Sequence, residues 1–293
     1  MSQQSLNGSR YELHVTHDGD AHNKMAHDYY AIHPDDTEEE DTETEKAGGG
    51  GDMIGYVHSW EVGSTVDGPG LRFVAFLTGC LLRCQFCHNP DTWHKRNGHQ
   101  VPVSRAMRQI GKYAKVLKLS GGGITLSGGE PMVQRKFVTQ VFRRCKALGM
   151  HTAMETSGRL GERFTDAELQ DIDLHILDIK GGDPATFQKV SGHPQAPTLE
   201  FARRLSALGR PAWIRFVLVP GHTDSHDNVD KLAEFVAGLR NVERVEILPF
   251  HQMGRDKWHK LGVAYPMDSV EPPTHALTER VRTQFRNRGL TVY

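Results

Sequence analysis

The sequence predicts an α/β protein in which six βα units form a partial (β/α)6 barrel that is open at one side. From Met53 onward, short β-favouring runs alternate with amphipathic stretches, which is the pattern of a parallel sheet with crossover helices. A closed barrel needs eight such units in about 250 residues. Six units in a similar length leave a gap, and this lateral mouth could admit a macromolecular substrate.

The predicted strands are short and rich in apolar residues, and they lie at 72–77, 124–127, 151–155, 174–179, 213–219 and 244–248. The predicted helices carry apolar residues at three- and four-residue spacing, and they lie at 105–118, 135–148, 198–208, 228–239 and 274–288. The barrel domain is therefore assigned to residues 52–293. Polar groups that follow its strands are expected to meet at one edge of the sheet.

The first 51 residues differ sharply in charge from the rest of the chain. They hold twelve Asp and Glu against three Lys and Arg, a net charge of −9, whereas residues 52–293 carry 32 basic and 24 acidic side chains, a net charge of +8. The acidic stretch 35–46 and the four glycines after it offer too little apolar surface to offset the entropy of ordering. Residues 1–51 are therefore expected to form an acidic, disordered extension.

The net positive charge of residues 52–293 suits an acidic partner. Nucleic acid is disfavoured because the chain shows no nucleic-acid-binding module and no long Lys/Arg run, so an acidic electron-transfer protein fits better. The first thirty residues hold no basic stretch followed by an apolar core, and no eighteen apolar residues run uninterrupted. No membrane association is expected, and the cytoplasm is the expected compartment.

Three of the four cysteines form a C-x3-C-x2-C run directly after the first predicted strand, at Cys80, Cys84 and Cys87. Three thiolates can hold three irons of a four-iron cluster and leave one iron open to a ligand. Structural zinc with His88 as the fourth ligand also fits the residue types. A haem-attachment pattern, C-x-x-C-H, fits less well because it leaves Cys80 without a role. Cys145 lies on the apolar face of its helix and is predicted to be a buried hydrophobe.

Charged and glycine residues follow the other strands. Gly128 and Gly129 let the backbone approach a ligand closely, although a tight turn would explain them as well. Asp178 and Lys180 share one face of an otherwise apolar strand, where charges are costly unless they are paired with each other or bind a ligand.

Arg215 is predicted to point into the barrel, because it stands between two apolar residues of a strand. A buried guanidinium needs an anion. Arg215 either orients a substrate or cofactor, or forms a buried ion pair with Asp178 or Glu155.

The cysteine spacing, with an aromatic residue before the last cysteine, resembles that of the radical S-adenosylmethionine (SAM) superfamily. Four further segments resemble the glycyl-radical-enzyme activases: DGPGLR at 67–72, CHN at 87–89, DTW at 91–93 and LSGGGITLSGGEP at 119–131. Two later segments resemble the pyruvate formate-lyase branch of that family: WIRFVLVPG at 213–221 and EILPFH at 246–251. The resemblance covers essentially residues 53–293.

The resemblance implies a 4Fe-4S cluster with one open iron, and SAM that is reductively cleaved to methionine and 5′-deoxyadenosine. The reaction would install a glycyl radical on pyruvate formate-lyase under anaerobic conditions, with reduced flavodoxin or ferredoxin as electron donor. One alternative is an activase of a different glycyl-radical enzyme, although many of those carry an inserted ferredoxin-like domain whose cysteines this chain lacks. An alternative of another class is a zinc-stabilised binding protein without catalysis.

The same resemblance assigns roles to individual residues. The cluster ligands are Cys80, Cys84 and Cys87. The SAM contacts are Phe86, Cys87, His88, Gly129, Asp178, Ile179, Lys180 and His251. The candidate catalytic residues are Lys180 and Arg215, and the candidate segment for binding the target peptide is Asp67, Gly68, Pro69 and Gly70. A monovalent cation beside SAM would be bound by Glu155, Thr156 and Asp178, and Glu155 is one methylene longer than the Asp that the family usually has there.

Overall fold

Eight strands form one open sheet in the computed structural model, which describes residues 52–293. The strands are β1 (Ile54–Ser64), β2 (Arg72–Leu77), β3 (His99–Pro102), β4 (Gly123–Gly128), β5 (His151–Thr156), β6 (Leu174–Asp178), β7 (Ala212–Leu218) and β8 (Val242–Pro249). Their order in the sheet is β3-β1-β2-β4-β5-β6-β7-β8. The disordered extension expected at residues 1–51 lies outside the described residues.

The six parallel strands β2 and β4 to β8 are the six predicted strands, and helices connect them. The helices are α1 (Val103–Gly111), α2 (Ala114–Leu119), α3 (Arg135–Ala147), α4 (Asp166–Gln170), α5 (Pro184–Ser191), α6 (Ala196–Ala207), α7 (His226–Ala237), α8 (Arg255–Lys260) and α9 (His275–Arg286). The predicted fold class, an open α/β partial barrel, is confirmed.

The structure departs from the prediction at the edge of the sheet next to β2. Strands β1 and β3 were not predicted; β1 pairs antiparallel with β2 on one side and with β3 on the other. The register of β1 against β2 shifts twice, so the alternation of buried and exposed side chains that marks a strand is broken. The single helix predicted at 105–118 is wrong in detail: Gly111, a weak helix former, ends α1, and α2 begins at Ala114.

The main core lies between the sheet and its helices. Helix α3 is typical, since its buried side chains Phe137, Val138, Val141 and Phe142 recur at three- and four-residue spacing and face the sheet. Cys145 belongs to the same face and is fully buried, with its thiol 3.9 Å from the sulfur of Met107. The prediction that Cys145 is a core residue is confirmed.

The barrel interior is arranged in levels along the strands. Four apolar side chains form its floor: Ala153, Leu174, Ile176 and Trp213. Charged residues from β5, β7 and β8 lie above this floor, and the cavity described below lies at the carboxyl ends of the strands. The cavity is therefore closed from below by the fold itself.

The buried His175 on β6 makes folding stability depend on pH. Its ring is fully buried against Phe201, and neither ring nitrogen makes a hydrogen bond of normal geometry within residues 52–293. Burial, and then the nearby Arg210, lower the pKa of His175 to about 3 from an unfolded value of 6.5. The folded state binds the proton less well, so stability is full above pH 6.5 and falls as the pH drops toward 3.

We expect His175→Leu to flatten this dependence. Between pH 6 and pH 5 the wild type should lose about 1.2 kcal/mol more free energy of unfolding than the variant, close to the value of about 1.4 kcal/mol per pH unit for one whole proton. Urea unfolding under anaerobic conditions measures the difference. The exposed His275 provides a matched surface substitution, His275→Leu, which controls for the replacement of a histidine by leucine as such. Equal slopes for the wild type and His175→Leu would contradict this interpretation.

Candidate active site

A cavity of about 480 Å³ lies at the carboxyl ends of the parallel strands, within the size range of small-molecule sites. Most of the predicted site residues line it: Asp67, Cys80, Cys84, Phe86, Cys87, His88, Gly129, Glu155, Thr156, Asp178, Lys180 and His251. They come from the ends of five strands and from the loop before β2. The predicted convergence at one edge of the sheet is thus observed in the structure.

Backbone hydrogen bonds fix the cysteine loop that follows β2. The amides of Gly79 and Cys80 donate to the carbonyl oxygens of Thr92 and Trp93, both at 2.8 Å. Further along the loop, the amides of Arg83 and Gln85 donate to carbonyl oxygens near the end of α5, both at 2.9 Å. Backbone hydrogen bonds therefore hold the loop at its start and between Cys80 and Cys87.

A second apolar cluster packs around this loop. It includes Leu82, Phe86, Trp93 and Trp258, and the two indole rings meet edge to face with centroids 5.1 Å apart. The indole N–H of Trp258 donates to the carbonyl oxygen of Cys87 at 2.8 Å. This packing keeps the thiols in a water-poor environment, which strengthens electrostatic interactions at the site.

The three thiols suit an iron–sulfur cluster. Burial raises the pKa of all three, that of Cys84 to about 12, and their mutual repulsion adds to the effect for Cys80 and Cys84. Three neighbouring thiolates are thus unfavourable without positive charge, and iron centres supply that charge to soft sulfur ligands.

A single zinc ion fits the geometry less well. In the part of the chain that the structure describes, no three His, Cys, Asp or Glu side chains gather around one point where a metal ion could sit. His88 turns toward His251: its Nε2 lies 3.2 Å from the carbonyl oxygen of His251, and the two rings are 4.3 Å apart. The fourth ligand that the zinc interpretation requires is therefore directed elsewhere.

The two glycines after β4 are required by contacts between backbone segments. A Cβ atom at Gly129 would lie 2.5 Å from the carbonyl oxygen of Gly79, and one at Gly128 would lie 2.3 Å from the amide of Leu77. The amide of Gly129 donates to the carbonyl oxygen of Leu77 at 2.8 Å. This amide is therefore not available to a ligand.

Glu130 is a buried residue to which the sequence analysis gave no role. Its carboxylate accepts hydrogen bonds from the hydroxyl of Thr156 at 2.6 Å, from the amide of Ser157 at 2.9 Å and from the amide of Met132 at 3.2 Å. It thereby joins the end of β4 to the end of β5. Only its place beside the glycine pair could have indicated this role.

Asp178 and Lys180 both face the cavity, as their alternation predicted. Lys180 Nζ lies 3.4 Å from Asp178 Oδ2 and 5.9 Å from the centroid of the Phe86 ring. Burial acts to lower the pKa of Lys180, but Asp178, and after it Cys84, outweigh burial and raise it. The side chain of Ile179 instead lies in the main core, so its assignment as a SAM contact can hold only for its backbone.

Arg215 lies below the cavity, and its guanidinium is taken up by protein groups. Its Nε donates to Glu246 at 2.7 Å, and its other nitrogens donate to Glu155 and to the carbonyl oxygen of Val66. Its side chain is 7% exposed. Of the two interpretations, the buried ion pair is the one observed, so the assignment of Arg215 as a catalytic residue is not supported. Instead it ties β7 to the loop before β2.

The three predicted cation ligands are each engaged with protein. The carboxylate of Glu155 accepts from Arg215 and from the hydroxyl of Ser127. The hydroxyl of Thr156 donates to Glu130, and Asp178 pairs with Lys180. They do not form a ready-made cation site.

The loop before β2 folds into the barrel and presents Asp67 to the cavity. Gly68 and Gly70 have φ angles of +132° and +64°, which side chains disfavour. The hydroxyl of Thr125 holds the loop by donating to the carbonyl oxygen of Asp67 at 2.6 Å. Gly68, Pro69 and Gly70 are not among the cavity-lining residues, so they shape the loop while Asp67 reaches the site.

Comparison with known proteins agrees with this arrangement. Residues 74–236 match the Radical SAM superfamily. A radical SAM methyltransferase from Sphaerobacter thermophilus shares the fold, with a TM-score of 0.55 at 18% identity over 76% of this chain and 65% of that one. The fold and the site thus define a radical SAM protein.

The family within that class follows from closer relatives. The pyruvate formate-lyase 1-activating enzyme of Escherichia coli (strain K12) is 42% identical over 232 residues, 78% of this chain and 94% of the relative. The pyruvate formate-lyase-activating enzyme of Staphylococcus epidermidis is 46% identical over 228 residues, 75% of this chain and 91% of the relative. The chain belongs to the family of pyruvate formate-lyase activating enzymes.

A solved domain of a pyruvate formate-lyase-activating enzyme from Bacteroides vulgatus covers 59% of this chain and 98% of its own, with 26% identity and a TM-score of 0.50. Within residues 52–293, every helix is too short or too polar to span a bilayer.

Proposed function

We propose that this protein activates pyruvate formate-lyase by generating a glycyl radical on it under anaerobic conditions. The observation that carries the proposal is the single cavity in which three cysteine thiols, the Asp178–Lys180 pair and Asp67 meet. Relatives at 42–46% identity that are named as activating enzymes of that partner support it. When bound, a 4Fe-4S cluster and SAM would supply the radical chemistry: one electron from a reductant would cleave SAM to methionine and a 5′-deoxyadenosyl radical, and a hydrogen atom from a glycine α-carbon would convert that radical to 5′-deoxyadenosine and leave the glycyl radical.

The residues of the cavity divide this task. Cys80, Cys84 and Cys87 would hold three irons and leave the fourth open to the methionine end of SAM. Lys180 carries the positive charge that suits the SAM carboxylate, and Asp178 beside it suits a hydroxyl or ammonium group. Lys180 would therefore position SAM, and this contact with the cofactor is the reason why it remains the candidate catalytic residue.

Other residues would orient the adenosine end and the methionine ammonium. His88 and His251 stack on each other at the rim of the cavity, next to Phe86, where an adenine ring could pack. Because the amide of Gly129 is taken, its carbonyl oxygen is the group that could accept from the ammonium. The apolar cluster around the loop would exclude water from a reactive radical.

The substrate side of the proposal rests on Asp67. Its carboxylate reaches the same cavity, and burial, with Glu155 next, raises its pKa. A carboxyl group in this position could accept a hydrogen bond from a peptide amide. When it is protonated, it could also donate one to a peptide carbonyl oxygen. The target glycine would enter through the open side of the sheet on a loop of the partner, and opening that loop would lower the apparent affinity.

Three further components complete the proposal. The net charge of +8 on residues 52–293 suits reduced flavodoxin or ferredoxin as the electron donor. A monovalent cation beside SAM, bound by Glu155, Thr156 and Asp178, would have to compete with Arg215 for Glu155 and with Lys180 for Asp178. The enzyme, its partner and the donor would share the cytoplasm.

Electron paramagnetic resonance tests the proposal. The anaerobic protein, SAM, a reductant and pyruvate formate-lyase should give a protein radical with a doublet signal, and replacing the target glycine with alanine should abolish it. A peptide that spans the target loop should be a poorer substrate, because most of the docking surface is missing. Cleavage of SAM with no radical on pyruvate formate-lyase, but with a radical on another glycyl-radical enzyme, would favour the alternative activase.

A further inference from the structure

One surface of the protein is formed by a stretch of chain that is basic and contains no acidic residue. Between Asp91 and Glu130 the chain holds seven Lys and Arg residues and no Asp or Glu. Five of the seven lie on or directly after α1 and α2, and all five are exposed: Arg105, Arg108, Lys112, Lys115 and Lys118. We call these five side chains the α1–α2 basic face.

The basic face lies opposite the buried sides of its two helices. On α1 the core residues are Val103, Ala106 and Ile110, whereas Arg105, Arg108 and Lys112 are spaced by three and four residues and so form one outward stripe. On α2 the buried residue is Leu117, and Lys115 and Lys118 are again three residues apart.

The described part of the chain does not neutralise this face. Within residues 52–293 none of the five side chains forms an ion pair with a carboxylate, whereas Lys146 on the neighbouring α3 pairs with Asp173. Among the described residues, Lys112 and Lys118 donate to uncharged oxygens, the side-chain oxygen of Gln109 and the carbonyl oxygen of Leu148. A cavity of about 590 Å³, lined by His58, His99 and Arg105 among others, opens at the start of α1.

The chain enters the described structure at this same place. The carboxylate of Asp52 accepts hydrogen bonds from the amide of Ser104 at 3.1 and 3.2 Å, and the carbonyl oxygen of Met53 accepts from Val103 at 2.8 Å. The residue next to Ser104 is Arg105, the first of the basic face. Whatever precedes Asp52 is therefore tethered to one end of that face.

The acidic segment of the chain lies just before this anchor. Residues 35–45 hold eight Asp and Glu residues, and six residues, 46–51, separate them from Asp52. Seven Cα steps span at most about 25 Å, whereas the nine residues of α1 rise by only about 14 Å. Such a tether can place the acidic segment on the basic face, at an effective concentration on the order of millimolar.

We propose that residues 35–45 bind to the α1–α2 basic face of the same chain as an electrostatic strap. Charge complementarity and the position of the tether carry the inference. The strap covers a surface that would otherwise attract acidic macromolecules, so an acidic partner that approaches α1 and α2 must displace it. The contact is between exposed charges, so it weakens as salt rises.

Carbodiimide cross-linking of the full-length holoprotein tests the proposal, because it joins a carboxylate to a lysine amine in direct contact with loss of water. Mass spectrometry at low salt should find residues 35–45 joined to Lys112, Lys115 and Lys118, and not to the exposed Lys189, Lys231 and Lys260. These products should be lost at about 1 M salt, where the Debye length is about 3 Å.

A matched variant and two opposing outcomes make the test decisive. Neutralising the eight acidic residues with Asn and Gln keeps the length of the segment and should raise the acetylation rate of Lys112, Lys115 and Lys118 by an uncharged reagent, with the three comparison lysines unchanged. Cross-links spread evenly over all six lysines would overturn the strap. Cross-links between two chains, seen as dimers on a denaturing gel, would assign the segment to a second copy and overturn the intrachain contact.

Discussion

Replacing any one of Cys80, Cys84 or Cys87 with alanine should abolish both the iron–sulfur cluster and SAM cleavage. The three thiols line one cavity and are held by a loop that backbone hydrogen bonds fix at its start and between Cys80 and Cys87. A cluster with three protein ligands has no spare thiolate, so the loss of one is expected to leave no stable site. Iron and sulfide analysis after anaerobic reconstitution measures the first loss, and the yield of 5′-deoxyadenosine measures the second.

Cys145→Ala supplies the control for these variants. Cys145 is fully buried in the main core against α1, away from the cavity. Its removal should keep four irons per chain and the cleavage activity, at a modest cost in stability from the lost packing. A Cys145 variant that cannot assemble the cluster, or a wild type that takes up stoichiometric zinc and no iron, would overturn the assignment of the metal centre.

Arg215→Met should destabilise the protein by about 3–5 kcal/mol, because it leaves the buried carboxylate of Glu155 without its ion-pair partner, whereas Glu246 keeps its pair with Arg244. Glu155 and Glu246 lie on either side of the guanidinium, and their side chains are 19% and 11% exposed. The variant also loses the bond to Val66 that holds the loop carrying Asp67. Urea unfolding under anaerobic conditions measures the loss.

Two further variants separate the buried charges from other effects of the substitution. Adding Glu155→Gln to Arg215→Met should recover most of the lost stability, because the uncompensated buried charge is gone. Arg282→Met breaks a surface pair with Glu279 and should cost far less stability than Arg215→Met. If Arg215→Met were as mild as Arg282→Met, Arg215 would not be the cation that holds these carboxylates.

The strands of the parallel sheet could be predicted because each is buried on both faces and reads as a short apolar run. Strand β1 could not, because its register shifts twice and it mixes His58, Ser59, Glu61 and Gly63 with its apolar residues. The split of the first helix depends on a single weak helix former, Gly111, in an otherwise continuous amphipathic pattern.

At the site, too, some features could be predicted from local sequence and others could not. Cysteine spacing and the position of Asp178 and Lys180 at a strand end follow from local sequence, so the cavity could be assembled from the chain alone. Glu155 was among the partners predicted for Arg215, but Glu246 and Val66 could not be singled out, because they lie 31 and 149 residues away in sequence. The glycine pair was linked to a ligand, whereas its closest contacts are the backbone atoms of Leu77 and Gly79.

Transfer of deuterium tests the central claim most directly. Pyruvate formate-lyase is prepared with glycine that is deuterated at the α-carbon, and it is mixed anaerobically with this protein, unlabelled SAM and a reductant. The proposal predicts that the 5′-deoxyadenosine formed carries a single deuterium by mass spectrometry, in step with the growth of the protein radical. Unlabelled 5′-deoxyadenosine, in an amount equal to the SAM consumed while the radical forms, would show that the hydrogen atom does not come from that glycine and would contradict the proposal.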